Sequence, residues 1–284
     1  MSDKAREHPP LWRRVPEAIG ATARHGIESA VSAIVYVGAF ARLIMAVANR
    51  TARAITRTGQ PIRWQHLVEQ SVRVGVKAIP IVMLVQLFIG LILALNMAPT
   101  LQSYGQIELT ADVVAVAVLR ELGPLITAVL LSGFAGASIA AELGTMVEGE
   151  EIKALRAHAI DPIRFLVVPR MFATSVMMVG LSIIADVMGV LGGLITGVMV
   201  LGINAGAYLD ETRIAVLPKD YYTGLCKSIV FGLIIAGLAC HEGLSVKGGA
   251  EGVGRATTTT VVKSIVLLIV ADSLFAAVFY TLGW

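Results

Sequence analysis

The chain reads as an all-α polytopic membrane protein with an N-terminal interfacial helix and five transmembrane helices. Three observations predict this. Charged residues are 15% of the 284 and hydrophobic residues 56%, with a mean hydropathy of +0.77. A soluble domain carries about 25% charge, so this chain has too little to cover a water-facing surface. Positions 78–107, 122–141 and 187–209 contain no Asp, Glu, Lys or Arg. A crossing needs roughly 20 apolar residues, and lipid forces each backbone polar group to find its partner within the segment, so such runs are helices. Finally, residues 1–77 hold 12 of the 23 Lys and Arg against 5 acids. Basic residues collect on the cytoplasmic side of spans and meet anionic lipid there, which accounts for this region without nucleic acid.

The elements follow in order. Met1 to Pro10 is polar, with no apolar core of a cleaved signal peptide. Ser29 to Ala41, continued by Leu43 to Ala48, is short and charged at its edges, which suits an interfacial helix. Residues 51–63 are a basic cytoplasmic connection and close a first region, 1–63, ahead of the membrane domain, 64–284. An amphipathic lead-in from Trp64 enters the first span, about Ala78 to Met97. Asn96 to Ala111 lacks Lys and Arg and is placed outside. The second span, about Asp112 to Leu143, returns to a cytoplasmic loop, Met146 to Arg164. Arg170 to Gly202 is apolar apart from Asp186, and its length fits one long tilted helix or a tight hairpin. A polar loop, 203–219, precedes the fourth span, about Asp220 to Glu242. Gly243 to Arg255 reads as a flexible loop, and the fifth span runs from about Ala256 to Trp284. One crossing for 163–202 puts the N-terminus inside and the C-terminus outside.

Several local patterns carry little chemistry. Gly189, Gly193 and Gly197 recur at intervals of four, as do Gly133, Ala137 and Ala141. Small residues so spaced let helices approach closely, within the chain or across a homodimer seam. The glycine-rich run Gly248 to Gly254 has neither the preceding strand nor the following Gly-Lys-Ser/Thr of a phosphate loop, and His241-Glu242 lacks the second histidine of a zinc helix. Cys226 and Cys240 on one helix are about 21 Å apart and cannot pair within the chain. No metal site is expected. Two rival readings use the remaining acids and bases: a membrane-embedded lipid-modifying enzyme built on His241 and Glu242 or on Glu148 to Glu151, and an ion-coupled secondary transporter.

The most specific stretch is Leu119-Arg120-Glu121-Leu122-Gly123-Pro124, then Ala140-Ala141-Glu142-Leu143-Gly144-Thr145-Met146, Glu150-Glu151-Ile152-Lys153-Ala154-Leu155, Asp161-Pro162 and Val167-Val168-Pro169-Arg170. Gly224-Leu225-Cys226-Lys227-Ser228 and Gly248 to Thr258 extend the series. This ordered set, over about residues 65–284, resembles the MlaE or YrbE-like permeases of bacterial lipid-transporting ABC systems. Two departures stand out. Phe134 follows Gly133 where the family commonly has arginine, and Lys153 reverses a charge.

The resemblance implies a homodimeric permease of the bacterial inner membrane that helps maintain outer-membrane lipid balance. It implies a cytoplasmic ABC ATPase, a periplasmic MCE-domain protein and phospholipid cargo, with a small STAS-type cytoplasmic protein as a further candidate partner. This chain would bind no cofactor; ATP and Mg would sit on the ATPase. A helix over Met146 to Arg156 would couple to that ATPase through Glu148, Glu150, Glu151, Ile152 and Leu155. Leu84, Phe88, Leu91, Leu95 and Met97 would supply an apolar wall to the lipid pathway. Arg120, Glu121, Lys227 and Asp272 fall at similar depth in the outer half of the bilayer, where two positive and two negative groups can neutralise one another beside that pathway.

Overall fold

The computed structural model describes residues 35, 38–50 and 64–283. The chain divides into two compact units, Met1–Ala46 and Val47–Trp284. In the first, residues 38–46 are helical; in the second, so are 47–50. Most of the interfacial helix read over Ser29 to Ala48, the connection 51–63 and the boundary at residue 63 lie outside the described residues.

Five helical segments are long and apolar enough to cross a membrane: Val68–Ser103, Ile107–Glu148, Ile163–Met199, Pro218–Leu244 and Gly249–Thr281. No strand occurs among the described residues. The stretch read as one crossing or two is a single helix, Val168–Met199. Its glycines do not break it, because no water is present in the bilayer core to compete for the helical hydrogen bonds.

The segments run longer than their charge-free runs. The first begins in the amphipathic helix Trp64–Val74, tightens through a 3-10 turn at Val76–Ala78, and continues as Ile79–Ser103. Pro99 lies inside it without ending it, so the loop read over Asn96 to Ala111 shrinks to the bend at 104–106. The loop read over 203–219 contains a helix, Ala205–Ala215, whose Asn204 side chain accepts from the Gly206 and Ala207 amides. The glycine-rich segment is not a flexible loop. The fifth helix starts at Gly249, after the left-handed Gly248.

The third span packs against the first and fourth, and the fourth also against the second and fifth. The fourth is the most enclosed and the fifth the most open. Close approach explains the glycines. A Cβ at Gly90 would overlap the Gly189 carbonyl oxygen, and one at Gly192 would overlap that of Leu87, so the first and third spans touch through backbone. Gly193 and Gly197 lie against Tyr208 of the helix Ala205–Ala215, and Gly189 against Val118. The four-residue glycine repeat therefore serves packing inside the chain, and the seam reading of that repeat is corrected. Gly133 differs, with nothing within 4 Å of a built Cβ.

Candidate functional site

Arg120 and Glu121 lie in a π-helical turn, Val118–Leu122, that interrupts the second span. Pro124 supplies the local cause. It has no N–H to return to the Arg120 carbonyl four residues earlier, so the ladder locally widens to a five-residue step. Gln86 of the first span donates from Nε2 to the Leu122 and Gly123 carbonyl oxygens, at 3.0 and 3.3 Å. Two further π turns occur, Ile163–Val167 ahead of Pro169 in the third span and Ser132–Gly136 in the second span with no proline after it.

The widened turn directs both charges at the fourth span. Lys227 Nζ donates to Glu121 at 2.5 Å and lies 2.9 Å from Asp272 Oδ1 on the fifth span. Its side chain is 1% exposed, against 42% for Glu121 and 15% for Asp272. One buried ammonium thus ties three spans together. Arg120 takes a different partner, forming a hydrogen-bonded ion pair with Asp220. The four charges do not neutralise one another as a closed set; Asp220 is the fifth member. It was missed because a carboxylate three residues into a helix already has a local explanation. Asp220 indeed accepts from the Leu217 amide at 2.8 Å, capping the fourth span while also countering Arg120.

Leu84, Phe88 and Leu95 are exposed on the first span, while Leu91 and Met97 are half-buried. The exposed stripe is completed by Ile81 and Ile92, spaced three and four residues from its neighbours. Leu91 turns toward the third span, where its backbone nitrogen lies against Gly192.

At the opposite end, the segment read as one helix over Met146 to Arg156 is two. Met146 to Glu148 finish the second span, in the helix Ala137–Glu148. Glu150 adopts a left-handed conformation, φ 60°, and a separate helix runs Glu151–Ala157. Glu148 therefore does not share a helical face with Glu151, Ile152 and Leu155. Ile152 is buried and Leu155 half-buried, while Glu148, Glu150 and Glu151 are exposed. The hydrogen bond from Lys153, at 2.6 Å, holds the Glu150 carboxyl below its ordinary pKa. Asp161 is also held low. Burial alone would raise it, but Arg50 at 2.5 Å and the Ile163 amide outweigh that effect.

The same end carries ion pairs to which no role was given from sequence. Glu142 bridges Arg73 at 2.9 Å and Arg170 at 3.0 Å, and Glu242 accepts from Lys263 at 2.8 Å. The Glu242 carboxylate, a candidate for an embedded enzyme, is thereby committed to a counterion. Cys226 and Cys240 are both free thiols on the fourth span.

Residues 67–278 match the family described as Permease MlaE. A protein of Rickettsia prowazekii named a probable ABC transporter permease is 37% identical over 220 residues, which are 78% of this chain and 85% of the relative. The intermembrane phospholipid transport system permease protein MlaE of Haemophilus influenzae is 32% identical over 218 residues, covering 76% and 84%. Trigalactosyldiacylglycerol 1, a chloroplastic protein of Arabidopsis thaliana, is 32% identical over 219 residues, covering 77% and 63%. With five apolar crossings and the ordered motifs gathered at their two ends, this multi-pass chain is a transport subunit belonging to the MlaE family of ABC transporter permeases.

Proposed function

We propose that the chain is the permease of an ATP-driven phospholipid transporter in the bacterial inner membrane. It acts as a homodimer with a cytoplasmic ABC ATPase on its Glu148–Ile163 end and an MCE-domain protein on the other, and it serves outer-membrane lipid balance. The N-terminus is then cytoplasmic and the C-terminus periplasmic. ATP and Mg are bound by the ATPase, and no cofactor by this chain. The observation that carries the reading is the short helix Glu151–Ala157, set off from the second span by the sharp turn at Glu150. A rigid helix between two spans is what an ATPase needs in order to move them. The phospholipid cargo is supported by the function named for the Haemophilus relative. It is also supported by the apolar stripe through Leu84, Phe88 and Leu95, since acyl chains are excluded from hydrated, polar walls.

Leu155 is the half-buried apolar residue on the outer part of that helix. Leu155→Asp should cut lipid-stimulated ATP hydrolysis by roughly tenfold or more, the worth of one desolvated apolar anchor, while the membrane dimer survives. Wild-type stimulation in this variant would remove the coupling assignment. For the cargo path, photocrosslinkers at Phe88 and Ile92, in place of the inward-turned Leu91, should capture phospholipid in the assembled transporter several-fold better than one at Val187, an exposed third-span control. Equal capture at all three positions would mean that the first-span stripe is an ordinary lipid-facing surface.

A further inference from the structure

Three spans meet at Gly123, and two of them bring to it a buried oxygen that lacks a hydrogen-bond donor. Asp186 of the third span is 6% exposed, and its Oδ1 lies where a Cβ on Gly123 would stand. Gln86 of the first span is fully buried, and its Nε2 donates to the Leu122 and Gly123 carbonyl oxygens. The first and third spans run parallel, since Gly75 meets Met177 and Gly90 meets Gly189. Gln86 precedes Gly90 by four residues and Asp186 precedes Gly189 by three, so the two side chains stand at the same level beside Gly123. That level is within the bilayer. Asp186 lies 13 residues before Met199, about 20 Å from that end of the helix at helical rise.

The missing group is a donor. Asp186 Oδ1 and Gln86 Oε1 are both buried without a partner, and both only accept, so a carboxylate and this oxygen cannot satisfy each other. The amide cannot turn to help. Its two N–H groups already serve two backbone carbonyls, which a flipped Oε1 would oppose. Thr127 and Ser182 stand one turn away along their own spans, and neither bonds Asp186; the Thr127 hydroxyl has no partner and Ser182 accepts from Ser228 at 2.7 Å. A neutral hydroxyl would in any case leave the charge uncancelled. Asp186 belongs to none of the ion pairs among the described residues. Arg120 of the second span is held by Asp220 of the fourth, and Lys227 of the fourth by Glu121 and by Asp272 of the fifth. The first span has no charged residue over 78–107. Toward the Glu148–Ile163 end, Arg73 and Arg170 share Glu142, and Arg170 is 16 residues from Asp186, about 24 Å. Toward the other end, Tyr208 lies against Gly193 and Gly197, two to three turns further along. An isolated buried carboxylate in such surroundings is neutralised rather than left charged.

We propose that this junction is a proton-binding site. One proton, carried by the Asp186 carboxyl and donated to Gln86 Oε1, joins the third span to the first across Gly123. The proton is taken from water and turns a carboxylate into a carboxylic acid, so two opposed acceptors become a donor and an acceptor. Glycine is required at 123 because any Cβ there would displace the carboxyl. Loss of the proton sets the two oxygens against each other where the spans are closed, so the junction weakens as the pH rises. The inference needs only the multi-pass membrane reading and is independent of cargo and of ATP.

The test uses the full chain in nanodiscs. Infrared difference spectra at neutral pH should show a protonated-carboxyl C=O stretch in wild type that Asp186→Asn lacks. Gln86→Leu should move that band to higher frequency, as for a carboxyl that has lost its acceptor, and this readout does not need Asp186→Asn to fold. Thermal unfolding in detergent supplies the sign. Asp186→Asn keeps an N–H for Gln86 at every pH. Above about pH 4 the unfolded chain ionises Asp186 freely, whereas the folded junction must first release its proton. The folding constant of wild type should therefore fall against that of Asp186→Asn by up to about tenfold per pH unit, one proton's worth, read as a widening gap in unfolding temperature. An ionised carboxylate with no protonated band at neutral pH, or a gap that stays constant with pH, would overturn the proposal. So would stabilisation of wild type but not of Asp186→Asn by Na+ over choline with no protonated band, which would make the ligand a metal ion. An unmoved band in Gln86→Leu would overturn Gln86 as the acceptor.

Discussion

Lys227→Ala should abolish transport and destabilise the chain by about 3–5 kcal/mol, the cost of breaking a buried ion pair by removing one partner. Its ammonium lies against both Glu121 and Asp272, and its side chain is only 1% exposed. Without it, two carboxylates on different spans face each other inside the bilayer, where an uncompensated charge is expensive. The bridged geometry alters the expected rescue. For a simple pair, Lys227→Asp with Asp272→Lys would restore transport in part. Here the exchange sets an aspartate beside Glu121, so recovery should require Glu121→Gln as well. Transport of fluorescent phospholipid and thermal unfolding in detergent read the two effects separately. Wild-type values for both in a Lys227→Ala, Asp272→Ala double variant would remove the cluster from function and from folding alike.

Gly192→Leu should prevent folding almost completely. The first and third spans meet through backbone at this point, with the Leu87 carbonyl oxygen where a Cβ would stand. A side chain that meets another side chain can be relieved by a rotamer change; one that meets a helical carbonyl has to move a whole span. Overpacking of this kind costs about 3 kcal/mol or more, and the displaced span also loses the Gly90–Gly189 approach. Size-exclusion yield of a fluorescent fusion should fall to background. Gly180→Ala on the same helix is the control. Nothing lies within 4 Å of its Cβ, so it should be neutral or stabilise by up to about 1 kcal/mol through helix propensity. Equal yields from Gly192→Leu and Gly180→Ala would contradict the close approach.

Much of the architecture was legible because lipid leaves the backbone few choices. A run such as 187–209, free of charge, has to be helical if it enters the bilayer, and that reasoning needs no partner. The ends of the spans were less legible. Apolar periodicity marks where lipid stops, whereas the helix continues while its own hydrogen bonds are satisfied, through Pro99 in the first span and from Gly249 in the fifth. The break at Glu150 was hidden for the opposite reason. Glu148, Glu151, Ile152 and Leu155 keep helical spacing across it, and spacing is blind to one left-handed residue.

By itself, the sequence determined the class of protein and the residues charged within the membrane, because burial in lipid constrains each segment alone; that 163–202 crosses once was decided by the unbroken helix Val168–Met199. Only the tertiary structure decided which of those charges meet. Lys227 could have chosen either acid and holds both, while Arg120 takes Asp220, 100 residues away in the chain. It also decided that Gly189, Gly193 and Gly197 pack inward and that Ile92, not Leu91, continues the exposed stripe. A pairing across spans depends on the rotation of each helix about its axis, and that rotation is set by neighbours in space.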